Sequence, residues 1–196
     1  METKPLIFIN KGNEDKISCH SHDPYTNKII SRLEKSKNKV HLSDIQEDII
    51  SGPMGFQLHT TDYVSQDYPN RVWLLQILNL GKFGELLRTK YDKFIPPEKD
   101  DELSKSKVKI GDIIIAKTGA IDRSILIKEN IQANLNQALG IIRLKSEYQG
   151  IKINPDFIYE FLNSEYGTSQ LMRLGGYRAG QSGLSLEEIG SMLIIL

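Results

Sequence analysis

The middle of the chain holds three short apolar segments separated only by turns, and this arrangement limits the possible folds most strongly. The segments are residues 113–116, 124–127 and 138–144, and Gly111 with Asp112 forms a turn before the first of them. No helix pattern lies between the segments, whereas parallel strands usually need a helical crossover. The sequence therefore predicts a strand-rich middle with mainly antiparallel pairing.

Two further stretches precede this region. Residues 72–80, with the sequence VWLLQILNL, are apolar and β-prone enough to form a buried strand, which ends at a turn around Gly81. Residues 95–109 contain the charged run PPEKDDELSKSK, which is typical of a solvated surface connection. We therefore expect one more strand, followed later by a long exposed loop.

Helix signals stand at both ends of the chain. Asp23 and Pro24 are typical of a helix N-cap and first turn. Ser43 with Gln46 forms a capping box, which predicts a short second helix. Near the other end, residues 154–156 (NPD) combine a cap, a first-turn proline and an acid at the positive pole, so they open a longer helix.

The longer helix is expected to stop at Gly175 and Gly176, and Ser185 with Glu188 forms a capping box for a final helix. Strands in the middle and helices at the C-terminal end predict an α+β fold. By pattern, the core includes Leu74, Ile77, Ile114, Phe157 and Phe161.

Length, charge and composition narrow the class of protein. A chain of 196 residues supports one main domain, so we expect a lead-in segment with one helix over residues 1–39 and one domain over residues 40–196. The formal net charge of zero argues against a protein that coats nucleic acid through bulk positive charge. No apolar run reaches the ~20 residues of a membrane span, and no secretory signal opens the chain. With a single cysteine, Cys19, no intrachain disulfide forms, and we expect a cytoplasmic protein that does not enter a membrane.

One local segment departs from this neutral balance. Residues 166–186 contain no Asp or Glu but include Arg173 and Arg178 among glycines and polar residues. A patch of this kind binds phosphate groups even in a molecule without net charge. The segment is therefore a candidate for contact with nucleic acid.

No local motif supplies a catalytic, metal or cofactor site. Cys19, His20 and His22 lack the ligand spacing of structural zinc sites. Residues 23–25 (DPY) lack the second proline of the Asp-Pro-Pro-Tyr motif with which amino-methyltransferases hold a flipped adenine. No glycine-rich turn after a strand fits S-adenosylmethionine or a nucleotide. We expect no cofactor, while an enzyme whose active site is assembled from distant segments stays open.

The order of four segments identifies a family resemblance. Residues 50–58 form a glycine-rich loop, residues 72–82 an apolar strand that ends in Asn-Leu-Gly-Lys, and residues 110–119 (IGDIIIAKTG) a hairpin of Gly-Asp, strand and Gly. A proline-started helix, a glycine-rich loop and a capped helix follow in residues 154–196. Over residues 40–196 this order resembles a target recognition domain of the specificity subunit (HsdS) of Type I restriction–modification systems. A complete subunit of that family has two such domains, separated by long helices that recruit methyltransferase subunits.

The resemblance implies a non-catalytic, sequence-specific reader of double-stranded DNA. Such a module directs DNA methyltransferase subunits, with or without a restriction subunit, to the target site. The same domain at the end of a fused, Type IIG-like restriction enzyme and N6-adenine methyltransferase fits these residues as an alternative. A protein-interaction domain without DNA binding is the alternative of another class.

The resemblance also implies where DNA is contacted. Loops on one face of the domain would contact base edges in the major groove, while basic and amide side chains bind phosphates. Asn136 and Gln137 serve equally well as DNA contacts or as structural hydrogen-bonding groups. The candidate DNA-binding residues are Gln57, His59, Arg88, Lys90, Lys117, Arg123, Arg173, Tyr177, Arg178, Gln181 and Ser182.

Overall fold

The computed structural model describes residues 23–175 and 183–196 in full, and the backbone of residues 177–178 and 181–182. The helices of the described residues are α1 (Pro24–Lys35), α2 (Leu42–Ile45), α3 (Pro97–Glu102), α4 (Pro155–Asn163), α5 (Glu165–Leu174) and α6 (Leu186–Gly190). The strands are β1 (Lys39–His41), β2 (Gln46–Ser51), β3 (Val72–Leu75), β4 (Lys93–Ile95), β5 (Ile113–Ala116), β6 (Ser124–Leu126), β7 (Ala133–Leu135), β8 (Leu139–Leu144), β9 (Glu147–Tyr148), β10 (Ile151–Lys152), β11 (Tyr177–Arg178), β12 (Gln181–Ser182) and β13 (Leu193–Ile195).

The central layer is a four-stranded antiparallel sheet with the strand order β2-β8-β5-β6. Within it Ile113 of β5 lies opposite Leu126 of β6 on one side and Ile142 of β8 on the other. The three apolar segments of the middle of the chain thus pair with one another. The predicted strand-rich middle with mainly antiparallel pairing is confirmed.

Alternate residues of β5 point to opposite faces of this sheet, as the pleat of a strand requires. Ile113 and Ile115 pack into a core with residues of the helices α4, α5 and α6. Ile114 and Ala116 pack into a second core against a three-stranded sheet of order β4-β3-β7. Helices cover one face of the central sheet and a second sheet covers the other, which confirms the predicted α+β fold.

The three-stranded sheet has β3 in the middle, antiparallel to β4 and parallel to β7. All four residues of β3 are buried. The strand predicted over residues 72–80 ends at Leu75, because a 3₁₀ turn follows it. In that turn the backbone N–H of Gln76 donates to Oδ1 of Asn79 at 2.9 Å, and the N–H of Asn79 donates to the carbonyl of Gln76 at 2.9 Å.

The prediction of a solvated loop over residues 95–109 is wrong. Ile95 belongs to β4, and α3 follows with a proline in its first turn. Asp100 of this helix is buried and accepts a hydrogen bond of 2.8 Å from Nδ2 of Asn134 on β7. Leu103 is buried in a small core with Leu74 on the outer face of β3. The buried Leu103 and the hydrogen bond to Asn134 hold this segment against the domain. Its charged composition therefore wrongly predicts a solvated loop.

One helix prediction and one core prediction near the C-terminus need correction. The long helix divides at Ser164, whose hydroxyl accepts from the backbone N–H of Tyr166 at 3.2 Å and so caps α5. Phe157, expected in the core, is 44% exposed, whereas Leu74 and Ile114 are fully buried as predicted.

Two short helices were predicted from capping boxes; the capping box of Ser43 with Gln46 is wrong, and the bounds of both helices differ from the prediction. α2 begins after His41, whose backbone N–H donates to Oδ2 of Asp44 at 2.9 Å, and Gln46 already belongs to β2. The Ser185 capping box is confirmed, but α6 ends at Gly190, and the chain then forms β13, which pairs with β1.

The first helix packs onto the C-terminal elements. The carboxylate of Asp23 accepts from the backbone N–H of Thr26 at 2.7 Å, which confirms the predicted N-cap of α1. α1 packs against α5, and β1 pairs antiparallel with β13. The boundary at residue 39 between a lead-in segment and the domain stays a prediction. Among the helices of the described residues, none has the length and apolarity to cross a bilayer.

Candidate nucleic-acid interface

One end of the central sheet gathers loops from several parts of the chain. β2 and β5 both run antiparallel to β8, so their last residues, Ser51 and Ala116, lie at the end where β8 begins. Asn136 reaches the same end, where its backbone N–H donates to the carbonyl of Leu75 at 2.9 Å. We define residues 51–57, 76–79, 117–123 and 136–138 as the loop edge.

Lys117, directly after β5, is a half-buried cation at the loop edge. Its Nζ donates a hydrogen bond of 2.5 Å to Oγ of Ser51, and its aliphatic chain packs over Gly140. Burial lowers the pKa of the Lys117 ammonium below its ordinary value. In the described part of the chain no carboxylate forms an ion pair with it. The charge is therefore available to an anion at the mouth of the sheet.

The glycine-rich loop lies against this position. A Cβ built on Gly52 would lie 1.9 Å from the carbonyl oxygen of Asn136, so only glycine fits there. The side chain of Gln57 closes the loop on itself, since its Oε1 accepts from the backbone N–H of Met54 at 3.0 Å. Gln57 is exposed, and Phe56 beside it is 74% exposed. The predicted candidate Gln57 thus belongs to the loop edge.

The predicted glycine-rich loop near the C-terminus borders the loop edge too. Its backbone forms a short hairpin in which β11 pairs with β12, and Thr118 forms a bridge with Gly183. The N–H of Leu184 donates to the carbonyl of Lys117 at 2.7 Å. The side chains of the candidates Tyr177, Arg178, Gln181 and Ser182 lie outside the described residues, as do residues 176, 179 and 180.

Three other candidates have different surroundings. Arg123 is half-buried, and its Nη1 donates to the carbonyl of Leu80 at 3.3 Å, which ties the loop edge to the end of the 3₁₀ turn. Arg173 is exposed in the last turn of α5. His59 is exposed, and its backbone N–H donates to Oδ2 of Asp62 at 2.7 Å, so it begins a 3₁₀ turn.

Arg88 and Lys90 do not lie at the loop edge. They line a cleft of about 850 Å³ next to the beginning of β3, at the opposite end of that strand from Leu75. Two more cations, Arg71 and Lys93, line the same cleft. We define the basic cleft by these four cations together with the aromatic residues Tyr63, Trp73 and Phe94.

Sequence reasoning missed Arg71 and Lys93. Each stands one or two positions before an aromatic residue of a strand, as Arg71-Val-Trp73 and Lys93-Phe94. Interleaving of basic and aromatic residues is a signal for nucleic-acid binding surfaces. That signal was available in the sequence, although it does not show that the two segments are neighbours in one sheet.

Neither surface has the donor set of a metal site. Within residues 23–175 and 183–196, no three His, Cys, Asp or Glu side chains lie close enough together to hold a metal ion. The cluster of Cys19, His20 and His22 lies outside the described residues.

Comparison with known proteins identifies the fold. No family model and no curated protein matches the sequence. The HsdS subunit from Thermoanaerobacter tengcongensis superposes with a TM-score of 0.54 and 14% identity, over 80% of this chain and 36% of that chain. A chain from a structure on complex assembly and conformational transition of the type I R-M system superposes with a TM-score of 0.55 and 11% identity, over 87% of this chain and 40% of that one. The chain has the HsdS fold.

This chain spans well under half the length of the two proteins it resembles. At 11% to 14% identity the likeness shows the fold and assigns no role to the side chains of the loop edge or the basic cleft. Their roles therefore have to be argued from their own surroundings.

Proposed function

We propose that the chain is a sequence-specific DNA-binding module of a restriction–modification system, with residues 40–196 as its target recognition domain. It reads a short site in double-stranded DNA and directs DNA methyltransferase subunits, with or without a restriction subunit, to that site in the cytoplasm. In this proposal the chain has no catalytic centre of its own. The HsdS fold and the convergence of loops at one end of the central sheet support the proposal.

The loop edge is the observation that carries the proposal. The central sheet, whose strand β5 is buried throughout between two cores, holds these loops, and loops on a packed scaffold are where recognition usually resides. Lys117 places there a cation that no described carboxylate neutralises, and Gln57 offers an exposed amide. DNA offers a partner to both side chains, a phosphate to Lys117 and the edge of a base to Gln57.

Different side chains suit different parts of DNA. Gln57 and Gln181 have amides that match the major-groove edge of adenine, and Arg178 has the bidentate geometry for guanine. Lys117 and Arg173 offer point contacts to phosphates, which hold the register of the duplex but carry no sequence information. Base reading thus falls to the glycine-rich loops on either side of Lys117.

The proposal is tested by fluorescence anisotropy with a pool of random-sequence duplexes at two salt concentrations. Salt-sensitive binding is expected, because phosphate contacts release counterions. Repeated selection of bound duplexes should then enrich one short sequence. Absence of binding at low salt would favour a protein-interaction domain, and binding without enrichment would exclude a specificity module.

Two further results are expected of the same preparation. With zero net charge, the chain alone should bind more weakly than the ~10⁻⁸ to 10⁻¹¹ M of complete specific complexes, and methyltransferase subunits should tighten binding. Incubation with labelled S-adenosylmethionine and target DNA should transfer no methyl group in the absence of those subunits. Methyl transfer by the pure chain would contradict a non-catalytic role.

A further inference from the structure

The basic cleft carries positive charge that the described residues do not neutralise. Among the described residues that line it, Asp92 is the one acid. Its Oδ1 already accepts from Nδ2 of Asn79 at 2.7 Å and from Oγ1 of Thr89 at 3.0 Å, and its Oδ2 lies 3.7 Å from Arg88. Arg71, Lys90 and Lys93 form no ion pair with any described carboxylate. Four cations against one shared carboxylate leave the cleft positive.

Aromatic faces hold these cations in place. The guanidinium of Arg88 lies 3.4 Å from the centroid of the Trp73 ring, and that of Arg71 lies 5.0 Å from the centroid of Phe94. A stacked guanidinium keeps its N–H groups at its edge, where they can donate to an oxyanion. Because the side chains are already positioned, binding costs less conformational entropy than it does for free surface cations.

The wall of the cleft also has hydrogen-bond donors without acceptors. Nε1 of Trp73 and Nε of Arg71 are buried and form no hydrogen bond within the described residues. Both groups are donors only, so acceptors are what this wall lacks. Neither atom has surface of its own, so an oxygen reaches them only when the lining side chains shift.

We propose that the basic cleft binds the phosphodiester backbone of duplex DNA, at a site separate from the loop edge. The inference rests on the proposed function and adds to it a second, sequence-independent contact. The cations come from three segments: the residue before β3, the loop of residues 88–90 and the first residue of β4. They therefore converge on one cleft from separate parts of the chain, and an oxyanion there can meet more than one of them. The loop edge reads bases while the basic cleft fixes the register.

The test uses the full 196-residue chain and two matched double variants. Lys90→Gln with Lys93→Gln removes two exposed cations of the basic cleft, and Lys28→Gln with Lys152→Gln removes two exposed cations outside both surfaces. Affinity for random-sequence duplex is measured against salt concentration. The cleft variant should lose affinity several-fold and reduce the slope of log affinity against log salt by about 1.8, since each lost phosphate contact contributes about 0.9. The control variant should match the wild type.

Trp73 supplies a second readout, because it is the only tryptophan of the chain. Its emission should change when duplex DNA binds, and inorganic phosphate at the same phosphate concentration and ionic strength should leave it unchanged. Lys93→Arg with Lys90→Arg should retain the affinity, because the charge is kept.

The outcomes separate this inference from the proposed function. No DNA binding by the wild type overturns both. DNA binding with a cleft variant equal to the control variant overturns only the basic cleft. If the cleft variant enriches a different sequence, the cleft reads bases. If inorganic phosphate saturates the Trp73 response, the cleft is a site for free anions. Either result overturns the proposed contact with the DNA backbone.

Discussion

Lys117 and Ser51 join the ends of two strands, with Nζ of the lysine 2.5 Å from Oγ of the serine. The two residues are 66 positions apart in sequence; Ser51 is the last residue of β2, and Lys117 directly follows β5. Burial of the Lys117 ammonium costs free energy of folding, because the group is half-buried and no described carboxylate forms an ion pair with it. The same arrangement presents a positive charge beside both glycine-rich loops.

Lys117→Met should show a pH-dependent stability difference from the wild type. Burial lowers the pKa of Lys117 in the folded state below the ordinary 10.5, so the folded protein binds fewer protons than the unfolded chain between the lowered value and 10.5. The wild type should therefore gain stability relative to Lys117→Met as the pH rises through that window. Urea unfolding of both proteins at several alkaline pH values measures the difference. Lys152→Met, at an exposed site, should show a constant difference, and a constant difference for Lys117→Met would contradict the burial cost.

Gly52→Ala should destabilise the protein, because its Cβ would overlap the backbone carbonyl of Asn136. Backbone cannot swing away as a flexible side chain does, so we expect a loss of about 1 to 3 kcal/mol. Gly55→Ala is the matched control in the same loop, since the nearest atom to its Cβ is 3.9 Å away. Chemical denaturation followed by circular dichroism measures both. Equal stability of the two variants would show that the loop does not pack on Asn136.

Arg143→Ala should be among the most harmful single substitutions in the central sheet. Nε and Nη2 of Arg143 donate to the two carboxylate oxygens of Asp112 at 2.8 and 2.7 Å, and the Asp112 side chain is 2% exposed. Removal of the arginine leaves a buried carboxylate without its cation, which costs about 3 to 5 kcal/mol. Lys128→Ala breaks the exposed pair with Asp156 and should cost less than about 1 kcal/mol. Equilibrium unfolding compares the two, and similar losses would argue against a strong buried pair.

Arg178→Ala with Gln181→Ala tests the hairpin of β11 and β12 as a reader of bases. Loss of an arginine that contacts a base should cost about 1 to 3 kcal/mol of binding and relax discrimination at one base pair. A phosphate contact would instead weaken all sequences alike and flatten the salt dependence. Affinities for the enriched target and for its single-base variants, measured in the complex with the methyltransferase subunits, distinguish these cases. Unchanged affinity and preference in a folded double variant would remove the hairpin from the interface.

Three of the four strands of the central sheet were predictable because their signals are local, whereas β2 was missed, since Ser43 with Gln46 predicts a helix there. Gly111 and Asp112 introduce a fully apolar strand, and the short connections leave antiparallel neighbours as the simple solution. The helix α3 was not predictable in this way, because its burial depends on Asn134, 34 residues from Asp100. No window of sequence that contains the acidic run also contains the partner that accommodates it.

The candidate site was predictable in part for the same reason. The Gly-rich loop, Lys117 and the C-terminal hairpin each carry turn signals, and the structure brings their backbones together at the loop edge. Only two of the four cations of the basic cleft, Arg88 and Lys90, were predicted from the sequence. Arg88 was a candidate, but its stacking on Trp73, 15 residues earlier, depends on the loop that folds back over β3. The spacing of residues in the sequence does not predict that this loop folds back over the strand.

The pairing of β1 with β13 sets the order in which the chain can complete its fold. Lys39 lies opposite Ile195, and the apolar face of α1 packs on α5. On the ribosome, α1 therefore emerges long before the residues that cover it, and contacts of such sequence separation form slowly because the loop between them must close first. Until then the apolar side chains of Ile29, Ile30 and Leu33, which are buried in the folded chain, are exposed to solvent. A chaperone that holds these side chains during synthesis would protect the nascent chain from aggregation until the last strand arrives.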